Sequence, residues 1–139
     1  MAYQLTGLEK KVAVITGAGR MRSIGRSIAM ELARAGCDVV ITGSGRSPED
    51  YPEEEKRAGW RDIESVAEEV RALGRRALPV VSDVSDLDSV SKLADTVMAE
   101  LGRVDFVINN AGAARAGDRA PVIDLSPEAW NKVINVNLN

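Results

Sequence analysis

The residues whose types and spacing suit chemistry fall in four short runs. The first is Thr16-Gly17-Ala18-Gly19-Arg20-Met21-Arg22-Ser23-Ile24-Gly25, which follows the β-branched apolar run Val12 to Thr16. Glycines in such a turn let the backbone bend tightly and approach a pyrophosphate. A helix starting at Ile24 would aim its free N–H groups and positive dipole end at that anion. The other three runs are Asp83-Val84, Asn109-Asn110-Ala111-Gly112, and Trp130 to Leu138 with Asn137 near its end. These residues can accept and donate hydrogen bonds around a polar ligand. Histidine is absent and Cys37 is the single cysteine. A zinc or copper site is therefore not expected, and any general acid or base must be another residue type.

The elements that would position these runs alternate regularly. Val12 to Thr16, Val39 to Thr42, Ala77 to Val81 and Val104 to Ile108 are short apolar runs of the kind that form strands buried on both faces. Between them the apolar residues recur at helical spacing. Ile24, Ile28, Leu32 and Ala35 mark one helix, with Gly36 where a C-terminal cap would sit. Ile63, Val66, Ala67, Val70 and Leu73 mark a second, closed by Gly74. Val90, Leu93, Ala94, Val97, Met98 and Leu101 mark a third, with Ser85 and Asp88 at its start and Gly102 at its end. Ser126-Pro127-Glu128 begins a fourth, with the hydroxyl at the cap and proline at the first helical position. Gly43 to Gly59 reads as a long loop, and its Glu53-Glu54-Glu55 run as a solvated face. Strand–helix alternation implies an α/β fold, with a doubly wound parallel sheet and right-handed crossovers.

Composition narrows the functions. The chain has 139 residues, 45% of them hydrophobic and 28% charged, with a net charge of −3. One globular domain is the expectation. The acidic balance argues against a nucleic-acid or anionic-membrane surface. No apolar run approaches the roughly 20 residues that span a bilayer, and Met1 to Lys11 lacks a signal-peptide stretch, so the protein reads as cytoplasmic. Cys37, within an apolar run, reads as a small buried hydrophobe. Trp60 and Trp130 read as packing residues.

Taken together, the Gly-rich turn, Asp83-Val84, Asn109 to Gly112 and the final helix resemble the short-chain dehydrogenase/reductase family, in order and in spacing. The resemblance runs the length of the chain, about the first half of a family member. It implies a Rossmann-type sheet in spatial order 3-2-1-4, incomplete relative to the family's seven strands. It also implies a nicotinamide dinucleotide as partner and a small carbonyl or alcohol substrate for the parent protein. Gly17 and Gly25 match the first and last glycines of the family's TGxxxGxG turn, in which Gly19, Arg20 and Ile24 also lie. Ser23 takes the place of the middle glycine and brings a Cβ there. Arg20 and Arg22 are either cofactor contacts or solvated loop charges.

Asp83 matches the aspartate that accepts from the adenine amino group, with Val84 lining that pocket; the alternative for Asp83 is a turn or helix-start residue. Asn110, Ala111 and Gly112, with Asn109, match the segment that supports the sheet and faces the nicotinamide-side ribose. Asn137 matches the helix asparagine of the family's Asn-Ser-Tyr-Lys tetrad, whose backbone kink holds a water in a proton relay.

Cofactor preference is set just after the second strand, where an acidic residue binds the ribose 2′-hydroxyl of NAD. Gly43 holds that position, followed by Ser44 and Arg46, with Arg20 in the neighbouring turn. A guanidinium can pair with a 2′-phosphate, so NADP is favoured over NAD.

The family's chemistry also needs a tyrosine with a lysine four positions on. The tyrosines here are Tyr3 and Tyr51, followed at that distance by Gly7 and Glu55. The reading is therefore the cofactor-binding half of an oxidoreductase, inactive alone. The alternative is a non-catalytic nucleotide-binding or assembly module that works as it stands. An apolar fourth strand at a sheet edge predicts self-association or further chain covering Val104 to Ile108, with a homo-oligomer as the expected state.

Overall fold

The computed structural model describes residues 6–113 and 120–138. Four strands, β1 (Val12–Ile15), β2 (Asp38–Gly43), β3 (Ala77–Val81) and β4 (Phe106–Ile108), form one sheet in the order β3-β2-β1-β4. All three pairings are parallel: Val14 stands opposite Val40 and Val107, and Ile41 opposite Pro79. The helices are α1 (Ile24–Arg34), α2 (Glu53–Arg57), α3 (Ile63–Ala72), α4 (Leu87–Leu101) and α5 (Pro127–Asn137).

Side chains alternate across a strand, and here that alternation splits the core in two. Ile15, Val39 and Ile41 point to one face and pack with Ala29 and Ala33 of α1 and Val66 and Val70 of α3. Val12, Val14 and Val40 point to the other and pack with Leu93 and Val97 of α4. Every residue of β1 and β2 is buried, as central strands covered on both faces must be. Cys37 is fully buried and its thiol donates to the Leu8 carbonyl at 3.5 Å; burial pushes its pKa up, away from reactivity. β4 is different. Its only strand partner among the described residues is β1, and Val107 is 59% exposed. No described residue of α5 is buried, and Trp130, expected to pack, is 53% exposed.

Two local expectations change. Asp86, not Ser85, caps α4, its carboxylate accepting from the Asp88 amide at 3.0 Å. Ser85 instead donates to Asp83. The span Gly43 to Gly59 is not one loop. It holds a 3-10 turn at Pro48–Asp50 and the helix α2, and Glu55 is 4% exposed rather than solvated. A five-residue helix made only of charged residues has no apolar period to announce it.

The start of the sheet carries a pH-dependent tie. Asp105 accepts from the Val12 amide at 2.8 Å, from the Arg103 guanidinium at 2.8 and 2.6 Å, and lies 3.3 Å from Lys11. The Arg103 hydrogen bond, then the Val12 amide, hold its carboxyl well below the usual carboxylate range. A depressed folded pKa stabilises the native state fully above the unfolded value of about 3.9, and the contribution disappears as pH falls through the folded value. Asp105→Asn should therefore lower the urea midpoint at pH 7 and flatten its decline below about pH 4. Parallel acid profiles for wild type and variant would refute this.

Candidate functional site

Because the four strands are parallel, their carboxyl ends open on one edge of the sheet. The segments there are the 16–23 turn after β1, Ser44 to Arg46 after β2, Ser82 to Ser85 after β3, and Asn109 to Ala113 after β4. Chain direction diverges between β1 and β4, which is where open α/β sheets form a ligand crevice.

The turn is built around close approaches. Gly17 has φ +66, and a Cβ there would stand 2.7 Å from the Ala111 Cα. A Cβ on Gly25 would stand 2.5 Å from the side-chain Nδ2 of Asn110 and 2.9 Å from the Ala18 Cα. Ser23 resolves the missing middle glycine. Its backbone is extended (φ −150, ψ 155), which any residue adopts, and its Oγ caps α1 by accepting from the Arg26 amide at 3.1 Å while donating to the Arg20 carbonyl at 3.0 Å. Such a cap is worth about 1 kcal/mol. The Ser27 amide bonds back to the Ser23 carbonyl. The first-turn amides of Ile24 and Gly25 have no intrahelical partner and lie at the positive end of the α1 dipole. That is the donor set a pyrophosphate needs, so the residues present fit one.

The segment after β2 folds onto this turn and braces it. Glu55 accepts from the Met21 amide at 2.9 Å. The Trp60 indole donates to the Gly19 carbonyl at 2.7 Å. Arg26 donates to the Met21 carbonyl at 2.8 Å, forms a two-point pair with Glu69 at 2.8 and 2.6 Å, and lies over the Trp60 ring. Arg22 pairs with Glu54 at the surface. The turn is thus held by side chains from α1 through α3. Trp60, Glu55 and Thr16 carry roles here that sequence patterns did not single out. Only Thr16 left a trace, as the residue that opens the glycine turn.

Arg46 reaches the same place but is not a free cation. Its guanidinium is 2.7 Å from Asp62 and 3.2 Å from Glu55, and it lies 4.8 Å from the Tyr51 ring centre. Burial opposes its charge, but the hydrogen bond and charge of Asp62, with Glu55, turn the net shift upward and keep it protonated. Ser44 is exposed beside it, and Arg20 is exposed on the turn.

On the β3 and β4 side, Val84, Asn109, Ala111 and Asn137 line one cavity, while Asp83 bonds to Ser85. Asp83 is exposed, and one of its oxygens accepts from the Ser85 amide at 2.9 Å and hydroxyl at 2.7 Å, which lowers its pKa. Asn110 straps β4 to β1. Its amide donates to Thr16 Oγ1 at 3.1 Å, and its side chain to the carbonyls of Thr16 and Gly17 at 2.8 and 3.1 Å. The Ala111 amide joins Thr16 Oγ1 at 3.0 Å. Asn137 accepts from the Ala113 amide at 3.2 Å, and its oxygen comes within 3.0 Å of where a Gly112 Cβ would lie. Val84, Asn109, Ala111 and Asn137 line a cavity of about 560 Å³ between β4, α4 and α5. A larger open groove, about 1280 Å³, runs from Ser23 and Ile24 along α1 to the β4 edge. Among the described residues no cluster of side chains suits a metal ion, and no helix is long and apolar enough to cross a membrane.

A parallel sheet in this order, with a glycine turn at the head of α1, defines a Rossmann-type doubly wound α/β protein. A family model described as short chain dehydrogenase matches residues 11–139, and the chain belongs to that family. It is 34% identical over 140 residues to 2-dehydro-3-deoxy-D-gluconate 5-dehydrogenase of Escherichia coli (strain K12), covering 99% of this chain and 46% of that protein. It is 39% identical over 129 residues to L-rhamnose 1-dehydrogenase (NAD(P)(+)) of Azotobacter vinelandii, covering 93% and 44%. The crystal structure of NAD+-bound xylitol dehydrogenase superposes with a TM-score of 0.75 at 29% identity, over 95% of this chain and 44% of that one. The chain thus spans less than half the length of each of these proteins.

Proposed function

We propose that this chain is the dinucleotide-binding part of an NAD(P)-dependent short-chain oxidoreductase. The complete protein would move a hydride between the nicotinamide ring and the carbonyl or alcohol carbon of a small substrate. The observation that carries the reading is the α1 head. Gly17 and Gly25 pack against Ala111 and Asn110 too closely for side chains, and the first-turn amides of Ile24 and Gly25, which a helix leaves without an internal partner, lie at the β1–β4 switch point. Asp83 and Val84 would take the adenine. Asn110, through Thr16, would hold the floor on which the nicotinamide-side ribose rests, with Ala111 and Gly112 above it. Asn137 would meet the reacting end of the cofactor. A nicotinamide cofactor also agrees with the names of two similar proteins, one NAD(P)(+)-dependent and one crystallised with NAD+.

NAD and NADP share the pyrophosphate and differ only at the adenosine 2′ position. There Arg46 and the exposed Arg20 favour NADP, and the two carboxylates that hold Arg46 oppose it. A cytoplasmic, homo-oligomeric oxidoreductase is the working picture. Titration of the full-length polypeptide with NADH and NADPH, followed by nicotinamide fluorescence, tests the cofactor reading. Saturable binding of at least one is expected, and binding of neither would refute it.

A further inference from the structure

We propose that Asp62 is the residue that receives the 2′-hydroxyl of the adenosine ribose and sets the pocket against a 2′-phosphate, so that NAD is preferred to NADP. This rests on the cofactor reading above and adds a specificity-determining residue to it. Gly43 ends β2, where an acidic side chain would ordinarily face the ribose, and Gly43 has none. The Asp62 carboxylate stands in that place, arriving from the start of α3. Its Oδ2 is 3.4 Å from where a Gly43 Cβ would lie, and a Cβ on Gly19 would fall 2.6 Å from its Cγ. One carboxylate therefore touches both the glycine turn and the carboxyl end of β2.

The place of Asp62 is not explained by its own helix. Asp62 is the N-cap of α3, yet its side chain makes no capping hydrogen bond. Its backbone sits at φ 54, ψ −127, a conformation L-residues rarely adopt, and the residue is 7% exposed. Strain of that kind at a buried acid is held in place by its surroundings, and it aims the carboxylate at the turn instead of at its own helix. The neighbouring bond from Trp60 to the Gly19 carbonyl fixes the approach.

Asp62, Glu55 and Arg46 form one cluster, with side chains 10%, 5% and 17% exposed, and two carboxylates on one guanidinium leave it a net negative charge. A ribose hydroxyl can donate to such a carboxylate. A 2′-phosphate brings further negative charge against that cluster, and Arg46 could pair with it only by leaving both partners. Arg46, which by sequence favours NADP, acts here as the brace that keeps Asp62 in place.

The test is binding of NADH and NADPH to the full-length polypeptide, measured by calorimetry for wild type, Asp62→Asn and Arg46→Gln, with ligand-free melting temperatures recorded. Wild type should bind NADH at least about 10-fold more tightly than NADPH, and Asp62→Asn should shrink that ratio by about 10-fold or more, the range of a charge-assisted hydrogen bond. Asparagine tolerates positive φ, so the fold should survive this change. If it does not, the wild-type ratio decides alone. Arg46→Gln should leave NADPH the weaker ligand. Equal or tighter NADPH binding by wild type, an unchanged ratio in a folded Asp62→Asn protein, or a collapse of NADPH binding alone in Arg46→Gln would each overturn the proposal while leaving the cofactor reading intact. Binding of neither nucleotide would defeat both.

Discussion

Gly17→Ala is expected to remove measurable dinucleotide binding and to destabilise the protein by about 2–5 kcal/mol, as the sum of two separate penalties. The first is conformational. Gly17 sits at φ +66, a left-handed conformation that costs an L-residue roughly 1–2 kcal/mol. The second is steric. The new methyl would lie 2.7 Å from the Ala111 Cα, a backbone atom on a segment pinned to Thr16, so it cannot simply rotate away. Overpacking of that kind costs typically about 1–3 kcal/mol. Relief would come by parting the β1 turn from the segment after β4, the two elements that form the crevice. Denaturant unfolding and cofactor titration of the full-length variant would check both parts. Unaltered stability together with wild-type affinity would show that the close approach has no bearing on the site.

Residues 1–139 alone are expected to show no measurable carbonyl reduction. A hydride transfer of the proposed type needs a proton donor beside the reacting carbon, and general acid–base help is worth about 10²- to 10⁴-fold. Tyr51 cannot serve. It is buried beneath Arg46, burial pushes its hydroxyl pKa upward, and the residue four positions on is Glu55, already bound to Met21 and Arg46. Tyr3 lies outside the described residues. Asn137 has its side-chain oxygen on the Ala113 amide and no ionisable group to offer. Substrate alignment, worth further orders of magnitude, would also be missing. The check is oxidation of NADH and NADPH against a broad carbonyl panel, with the chain purified away from host reductases. Activity should appear when the chain is joined to a segment carrying a Tyr-x-x-x-Lys pair. Efficient turnover by the chain alone, abolished by Asn137→Ala, would overturn this.

What the sequence by itself determined is the part of the protein governed by local period. Apolar β-branched runs separated by amphipathic stretches specify four strands and the helices between them. Parallel pairing and the order 3-2-1-4 follow from crossover geometry together with the recognised motifs. The glycine turn, the Ser126 cap and the meeting of Val84, Ala111 and Asn137 at one edge were legible for the same reason. Each follows from residue types at the end of a strand or helix.

Tertiary structure alone decided what fills the space around that turn. Glu53 to Arg57 have the composition of a solvated surface, yet Glu55 is buried because the Met21 amide and Arg46 give its charge two partners. Arg46 looked like a free guanidinium until Asp62, sixteen residues on, closed on it. Ser23 looked like an obstruction until its hydroxyl became the α1 cap. In each case the outcome depends on a partner far along the chain or on the local backbone angle. Charge and size along a sequence do not encode such pairings, because the cost of burying an ion is cancelled only by the particular group that folding brings to it.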